Sequence, residues 1–175
     1  MMVMRRAEVE LIDTWDALGM RGTGSGDLAA KDVRVPQSRS VSFITDTPRE
    51  AGPLYRFAPF GLLALGIAAV ASGNALGALD DLKALAVAKK GQGSSRSLAE
   101  RGVVQADFAV AQADLDAARA LVHAEIATAW DRVVAGDSLE LSARARLRLA
   151  ATRLTQVSAR VAAKMHELAG GTSVY

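Results

Sequence analysis

Residues 97–135 read SLAERGVVQADFAVAQADLDAARALVHAEIATAWDRVVA, and this stretch decides the fold class. Its apolar residues recur every three or four positions, at Val104, Phe108, Ala111, Leu115, Ala118, Val122, Ile126, Ala129 and Val133. Because an α-helix turns once in about 3.6 residues, this spacing puts them all on one helical face. Gly136 follows, and glycine commonly ends helices. We therefore predict one long helix over residues 97–135.

A second predicted helix precedes this stretch, over residues 55–90. Two cations, Lys89 and Lys90, stand in its last turn, where they would favour the negative end of the helix dipole. Gly91 follows and is predicted to end the helix, and the Gly- and Ser-rich residues 91–95 form the loop to the next helix.

A third predicted helix covers residues 137–169 and ends before Gly170 and Gly171. Asp137 and Glu140 have the spacing of a capping box at its start. Three long helices joined by short loops predict a mainly α protein with an up-down helical bundle over residues 55–175.

The chain before the bundle shows a different pattern. Polar and apolar residues alternate over residues 8–12 and again over residues 33–35, with a Gly-rich turn between them. We therefore predict a strand-turn-strand segment within residues 1–45. Residues 46–54 are rich in Pro, Gly and charge, which is typical of a linker.

Composition excludes several classes of function. The formal net charge is only +2, too little for the phosphate neutralisation that drives nucleic-acid binding, and there is no Cys for a disulfide or a thiolate site. The two histidines show no metal-site spacing. We expect a cytoplasmic protein without a metal, in which any redox chemistry comes from a cofactor.

The run from Phe57 to Leu79 has no charged residue and is long enough to span a bilayer, which needs about 20 residues. Gly73 and Gly77 also have the GxxxG spacing of packed membrane helices. Small and polar residues dilute the run, however. We predict a buried bundle helix and no membrane partner, with a membrane-associated helix as the weaker alternative.

Charge divides unevenly between the second and third long helices. Residues 98–135 carry excess acid and residues 139–168 excess base, so as antiparallel neighbours they would attract each other. Arg146, Arg153 and Arg160 recur every seven residues and share one helix face. We expect them to pair with the acidic helix, and a phosphate-binding role stays open.

Residues 15–25 match W-x-x-L-G-M-R-G-T-G-S and residues 32–36 match D-V-x-V-P. This order resembles the end of the β domain in acyl-CoA dehydrogenase-like enzymes. The G-T-G-S form is most similar to the flavin-dependent monooxygenases, of the type found as oxygenase components of two-component aromatic hydroxylases. Further similar segments are residues 58–60, 73–76, 95–96, 127–131 and 167–175.

The resemblance implies a subunit with a helical domain, a β domain and a C-terminal four-helix bundle, assembled as a dimer or tetramer. FMN or FAD would be the cofactor and a small aromatic or acyl compound the substrate. This chain would be the end of the β domain and an incomplete bundle. The family's catalytic base then lies outside it, no catalytic residue is assigned, and the chain alone is not expected to hold flavin.

The resemblance also implies cofactor-binding residues. Thr23 and Ser25 would lie near the flavin or substrate, Arg96 would reach flavin phosphate across a subunit boundary, and Gly170 and Gly171 would border the cofactor of a neighbouring subunit. Each has a structural alternative, namely turn geometry for the glycines and a salt bridge at the end of the loop for Arg96.

One departure from the family pattern bears on the reaction. Dehydrogenases of this superfamily usually carry R-x-x-F-G before the second bundle helix, whereas residues 96–100 read RSLAE. The departure favours a hydroxylase over an acyl-CoA dehydrogenase. A non-catalytic helical oligomerisation fragment of such an enzyme is the alternative function.

Overall fold

A computed structural model describes residues 1–91 and 93–171, so Gln92 and residues 172–175 of the similar segment 167–175 lie outside the described residues. Contacts within the chain group it into two units, Met1–Arg49 and Glu50–Tyr175. Their boundary falls inside the predicted linker, residues 46–54. Each unit is described by itself.

The first unit contains a two-stranded antiparallel sheet of β1 (Glu10–Ile12) and β2 (Asp27–Ala29), in which Leu11 pairs with Leu28. The first predicted strand is thus confirmed at residues 10–12. The second, at residues 33–35, is wrong, because the chain returns as a strand directly after the Gly-rich turn.

The reason lies at Gly26, just before β2. A Cβ there would be only 2.5 Å from the Ile12 carbonyl oxygen, so the two backbones approach more closely than any side chain allows. Pairing therefore starts immediately after the turn rather than further along the chain.

Among the described residues, the second unit contains one short α-helix and three long ones: α1 (Pro53–Arg56), α2 (Pro59–Ala88), α3 (Gly102–Ala135) and α4 (Leu141–Ala169). The long helices have 30, 34 and 29 residues, more than half of the 175-residue chain. The predicted fold class, a mainly α up-down bundle preceded by a short β segment, is confirmed.

The first predicted helix, residues 55–90, is interrupted and ends early. Pro59 starts α2 and holds the preceding Ala58 in an extended conformation, with ψ 114°, which separates α1 from α2. At the other end the helix stops at Ala88 instead of reaching Gly91. Lys89 is already extended, with ψ 123°, and Lys90 pairs with Ser97 across the loop as an isolated bridge.

The other two predicted helices start later than expected. A 3-10 turn over Leu98–Glu100, with a capping box between Ser97 and Glu100, comes before α3. The capping box predicted at Asp137 is wrong, since α4 begins only at Leu141. The intervening Leu139 is instead buried in a small apolar cluster that consists of Phe57, Ala129, Val133, Leu139 and Leu147.

α4 is the central helix of the bundle and packs against both α2 and α3. Ala64 of α2 and Ala151 of α4 line one groove between the two helices, and Leu85 and Ala169 line a second one. Residue numbers therefore rise together, so α2 and α4 run parallel. The buried face of α2 steps by three and four residues: Ala68, Ser72, Ala75, Leu79, Leu82 and Ala86.

Ion pairs show that α3 runs antiparallel to α4. Glu125 contacts Arg146 near one end of the pair of helices, and Asp107 lies 3.8 Å from Lys164 near the other. The expected attraction between the acidic and basic helices is confirmed at these two contacts. Within the described residues, Arg146 is the member of the arginine stripe that forms an ion pair.

By length and composition, α2 is the one helix among the described residues that could cross a membrane. A third of its most apolar window is buried inside the protein. Core helices of globular proteins pass the same test, and the buried face of α2 packs on α4.

Candidate functional site

The turn that carries Thr23 and Ser25 is built around one carbonyl group that accepts three hydrogen bonds. The Met20 oxygen accepts hydrogen bonds from the Trp15 indole N–H at 3.0 Å, from the Thr23 amide at 3.1 Å and from the Thr23 hydroxyl at 2.9 Å. Met20 itself has the left-handed φ of 55°, which lets its carbonyl face all three donors. The sequence W-x-x-L-G-M-R-G-T thus builds a fixed turn rather than an open loop.

Thr23 and Ser25 are brought together by this turn, with their hydroxyl oxygens 2.9 Å apart. A hydroxyl has one proton to donate. Because the Thr23 proton goes to Met20, Ser25 must be the donor between the two hydroxyls. Both side chains are exposed, so the remaining lone pairs of Ser25 face solvent and can accept a hydrogen bond from a ligand.

The other predicted site residues belong to the second unit, at the end of the bundle where α2 and α4 end and α3 begins. Arg96 lies in the loop between α2 and α3, where the Ser94 hydroxyl accepts a bond from its amide at 3.2 Å. Its side chain is exposed and forms no ion pair with the residues that the structure describes. The alternative of a loop-end salt bridge is therefore not seen among them.

Gly170 and Gly171 follow the last residue of α4. The Gly170 amide donates to the carbonyl oxygens of Glu167 and His166, and its backbone has φ 61° and ψ −152°. Such a conformation is essentially restricted to glycine. At Gly171 no described atom lies within 4 Å of an added Cβ, so the backbone there is exposed to whatever approaches it.

Lys89, which the sequence places only as a cation in the last turn of the first predicted helix, also lies at this end. Its ammonium donates a hydrogen bond to the carbonyl oxygen of Ala169, the last residue of α4. The two residues are 80 positions apart in sequence, and Lys89 is half-buried. From the sequence, Lys89 is only a cation near the end of its own helix, α2. The sequence does not reveal that its side chain caps the end of a different helix, α4.

Glu125 is a second missed residue, although its position carried a signal. It occupies a place in the buried series of α3 between Val122 and Ala129, where an apolar residue is expected. Arg146 donates to both of its carboxylate oxygens, at 3.0 and 2.5 Å. The hydrogen bonds from Arg146 hold the pKa of the Glu125 carboxyl below its ordinary value of 4.5.

A groove of about 470 Å³ runs between the C-terminal halves of α2 and α4. Leu82, Leu85 and Met165 give it an apolar lining, while Asp81 and His166 supply titratable groups. In the part of the chain that the structure describes, no three His, Asp or Glu side chains converge as a metal site.

Comparison with known proteins finds a family match within the second unit and relatives similar to nearly the whole chain. The family described as "Acyl-CoA dehydrogenase, C-terminal domain" matches residues 65–175. Indole-3-acetate monooxygenase of Pseudomonas putida is 33% identical over 99% of this chain and 44% of its own length. The flavin-dependent monooxygenase oxygenase subunit HsaA of Mycobacterium tuberculosis is 30% identical over 97% of this chain and 45% of its own.

Among solved structures, the 3-HSA hydroxylase of Rhodococcus sp. RHA1 superposes with a TM-score of 0.82 and 26% identity. That match covers 97% of this chain and 46% of the hydroxylase. The chain therefore spans less than half the length of the relatives that it matches. Since the family match covers more than half of the chain, the chain belongs to the acyl-CoA dehydrogenase family and contains that family's C-terminal helical domain.

Proposed function

We propose that this chain is the C-terminal part of a flavin-dependent monooxygenase that hydroxylates an aromatic or polycyclic substrate with reduced flavin and oxygen. The observation that carries the proposal is the similarity to indole-3-acetate monooxygenase across 174 residues, because it spans the Gly-rich turn as well as the bundle. The RSLAE segment at residues 96–100 supports a monooxygenase over a dehydrogenase. A cytoplasmic homo-oligomer is part of the proposal.

The exposed groups have the chemistry that a flavin needs. The Arg96 guanidinium suits phosphate oxygens, and both FMN and FAD carry phosphate. The backbone at Gly171 allows close approach, and the Thr23–Ser25 hydroxyl pair offers an acceptor to a ring N–H. When bound, reduced flavin supplies the electrons that activate oxygen. The residues of this chain bind and orient the cofactor. We assign no proton-transfer residue within this chain.

Arg96 gives the most direct test of the site. Replacing Arg96 by Ala in the full-length protein that carries this chain should weaken flavin binding about ten-fold or more, because a charge-assisted contact contributes roughly 1.5–3 kcal/mol. Arg144→Ala is the matched control, since Arg144 is exposed near the start of α4, at the other end of the bundle. Flavin affinities would be measured by fluorescence titration, and an unchanged value for Arg96→Ala would remove it from the site.

The function itself is tested by anaerobic titration of the full-length protein with reduced FMN and reduced FAD. We expect saturable binding of at least one of them. We also expect oxygen consumption that depends on an added aromatic compound, with indole-3-acetate and simple phenols as probes. Absence of binding for both flavins would contradict the proposal and favour the alternative, a non-catalytic oligomerisation module.

A separate expectation concerns residues 1–175 alone. The similarity covers less than half of each relative, so the cofactor cradle is expected to need segments outside this chain. Purified residues 1–175 should therefore bind no flavin. A stoichiometric yellow complex would contradict this expectation while supporting flavin-dependent function.

A further inference from the structure

Lys89 lies where three segments of the second unit meet. Its amide donates to the Leu85 carbonyl at 2.9 Å and closes α2, and its carbonyl accepts from the Leu98 amide at 2.7 Å. Its ammonium donates to the Ala169 carbonyl at the end of α4. One residue therefore joins α2, the turn that leads into α3, and the C-terminus of α4.

The side-chain contact is electrostatically favourable. The last carbonyl groups of an α-helix have no partner within the helix and carry a partial negative charge, so an ammonium group there stabilises the helix end. A Cβ at Gly170 would be 3.8 Å from the Lys89 Nζ atom, so the ammonium also lies beside the next residue. Lys89 thus fixes the peptide that leads from α4 into the glycine pair.

The backbone contacts of Lys89 fix the opposite side of the same region. The Lys90–Ser97 bridge and the Leu98–Lys89 hydrogen bond close the loop that carries Arg96. Arg96 is thus next in sequence to a residue of the bridge, while Gly170 is next to the carbonyl that Lys89 binds. The two sets of cofactor-binding residues predicted in this unit are held relative to each other through Lys89.

We propose that Lys89 is a positioning residue for the flavin site: it holds the Gly170–Gly171 turn in register with the loop that carries Arg96. This inference rests on the proposed flavin-dependent function. Lys89 acts through the backbone of Ala169 and Gly170. A ligand that contacts both segments binds well only if their separation is fixed in advance, because each group that must be ordered on binding lowers the affinity.

The test compares three substitutions in the full-length protein. Lys89→Met removes the ammonium but keeps an unbranched chain, Lys89→Arg keeps a cationic donor, and Lys90→Met is the control at the exposed neighbouring lysine. Two quantities are measured at a temperature where all variants are folded. They are the hydrogen-exchange rate of the Gly170 amide without flavin and the dissociation constant for reduced flavin.

We expect Lys89→Met to accelerate exchange at Gly170 and to weaken flavin binding about ten-fold. Lys89→Arg should keep the Gly170 exchange rate and the flavin affinity close to those of the unsubstituted protein. Lys90→Met should change neither quantity. Unchanged exchange at Gly170 in Lys89→Met would overturn the proposal. Faster exchange with unchanged flavin affinity would also overturn it, because Lys89 would then serve the helix end alone.

The same experiment separates this inference from the proposed function. If the unsubstituted protein binds no reduced flavin, the proposed function fails, and the cofactor role of Lys89 fails with it. If the unsubstituted protein binds flavin and the Lys89 variants match it, only the present inference fails.

Discussion

Gly170 and Gly171 are neighbours at the end of α4, but they differ in whether the backbone would tolerate a side chain at that position. Gly170 has a backbone conformation, φ 61° and ψ −152°, that is essentially restricted to glycine. For Gly171, the described surroundings leave space for a Cβ. The first glycine is therefore required by the backbone, and the second is open to a functional explanation.

This difference gives a prediction for the pair. Gly170→Ala should lower the free energy of unfolding by about 1–3 kcal/mol, because alanine is strained in that conformation. Gly171→Ala should leave it nearly unchanged but weaken flavin binding by the full-length protein, if that backbone borders the cofactor. Urea unfolding and flavin titration of both variants measure the two effects. Equal stability losses would contradict the distinction.

At the scale of elements, the contact between α3 and α4 depends on Glu125 and Arg146. Glu125 is buried in the helix seam, whereas the Arg146 side chain keeps 69% of its surface exposed. Arg146, which is mostly exposed to solvent, therefore supplies the hydrogen bonds that the buried Glu125 carboxylate needs. Removing the arginine alone would leave the carboxylate without its partner, which is costlier than removing the carboxylate charge.

The pair also makes stability depend on pH. Arg146 holds the pKa of the Glu125 carboxyl below 4.5 in the folded state. The ion pair therefore stabilises the fold fully above pH 4.5, and this stabilisation is lost as the pH falls through the folded-state pKa of Glu125. Glu125→Gln should lower Tm by several degrees at neutral pH and by progressively less in acid. Asp107→Asn, at the 3.8 Å contact with Lys164, should show a smaller difference, since both partners are half-exposed. A Tm difference for Glu125→Gln that grows in acid would contradict this account.

The helices show which features of secondary structure the sequence pattern predicts and which it does not. Periodicity predicted the three long helices, and the end of α3 at Gly136 is as predicted. Helix starts were predicted less well, because they depend on tertiary packing. Leu139 is buried next to Val133, so residues 137–140 are not helical, although the spacing of Asp137 and Glu140 is that of a capping box.

The site shows the same limit. The turn with Thr23 and Ser25 could be identified from its motif, since its hydrogen bonds are local. The Lys89–Ala169 contact joins residues 80 positions apart, and no local pattern encodes such a contact. Glu125 could have been found from the sequence, as an acid within an apolar series, but its partner on α4 could not.

At the scale of the whole molecule, α2 has more apolar surface than its neighbours in the bundle cover. Phe60, Leu63, Ile67 and Val70 share one face at helical spacing, and each is more than half exposed. This stripe lies on a different side of α2 from the face buried against α4. Contiguous apolar surface of this kind usually marks a contact with another element or chain.

We therefore expect residues 1–175 to self-associate. Light scattering at micromolar concentration should give a multiple of the 18.3 kDa chain mass. Ile67→Lys combined with Val70→Lys should shift the mass towards the monomer, because two charges cannot be buried unpaired in an apolar contact. Val110→Lys, an equally exposed apolar position on α3, is the control. A well-behaved monomer before substitution would contradict the expectation.

The measurement that tests the central claim most directly follows oxygen into the product. The full-length protein would be supplied with reduced flavin, an aromatic substrate that stimulates oxygen consumption, and isotopically labelled dioxygen, and the product analysed by mass spectrometry. A flavin-dependent monooxygenase predicts one labelled oxygen atom in each hydroxylated product molecule. Substrate oxidised without incorporation of label, as in a dehydrogenation, would contradict the account.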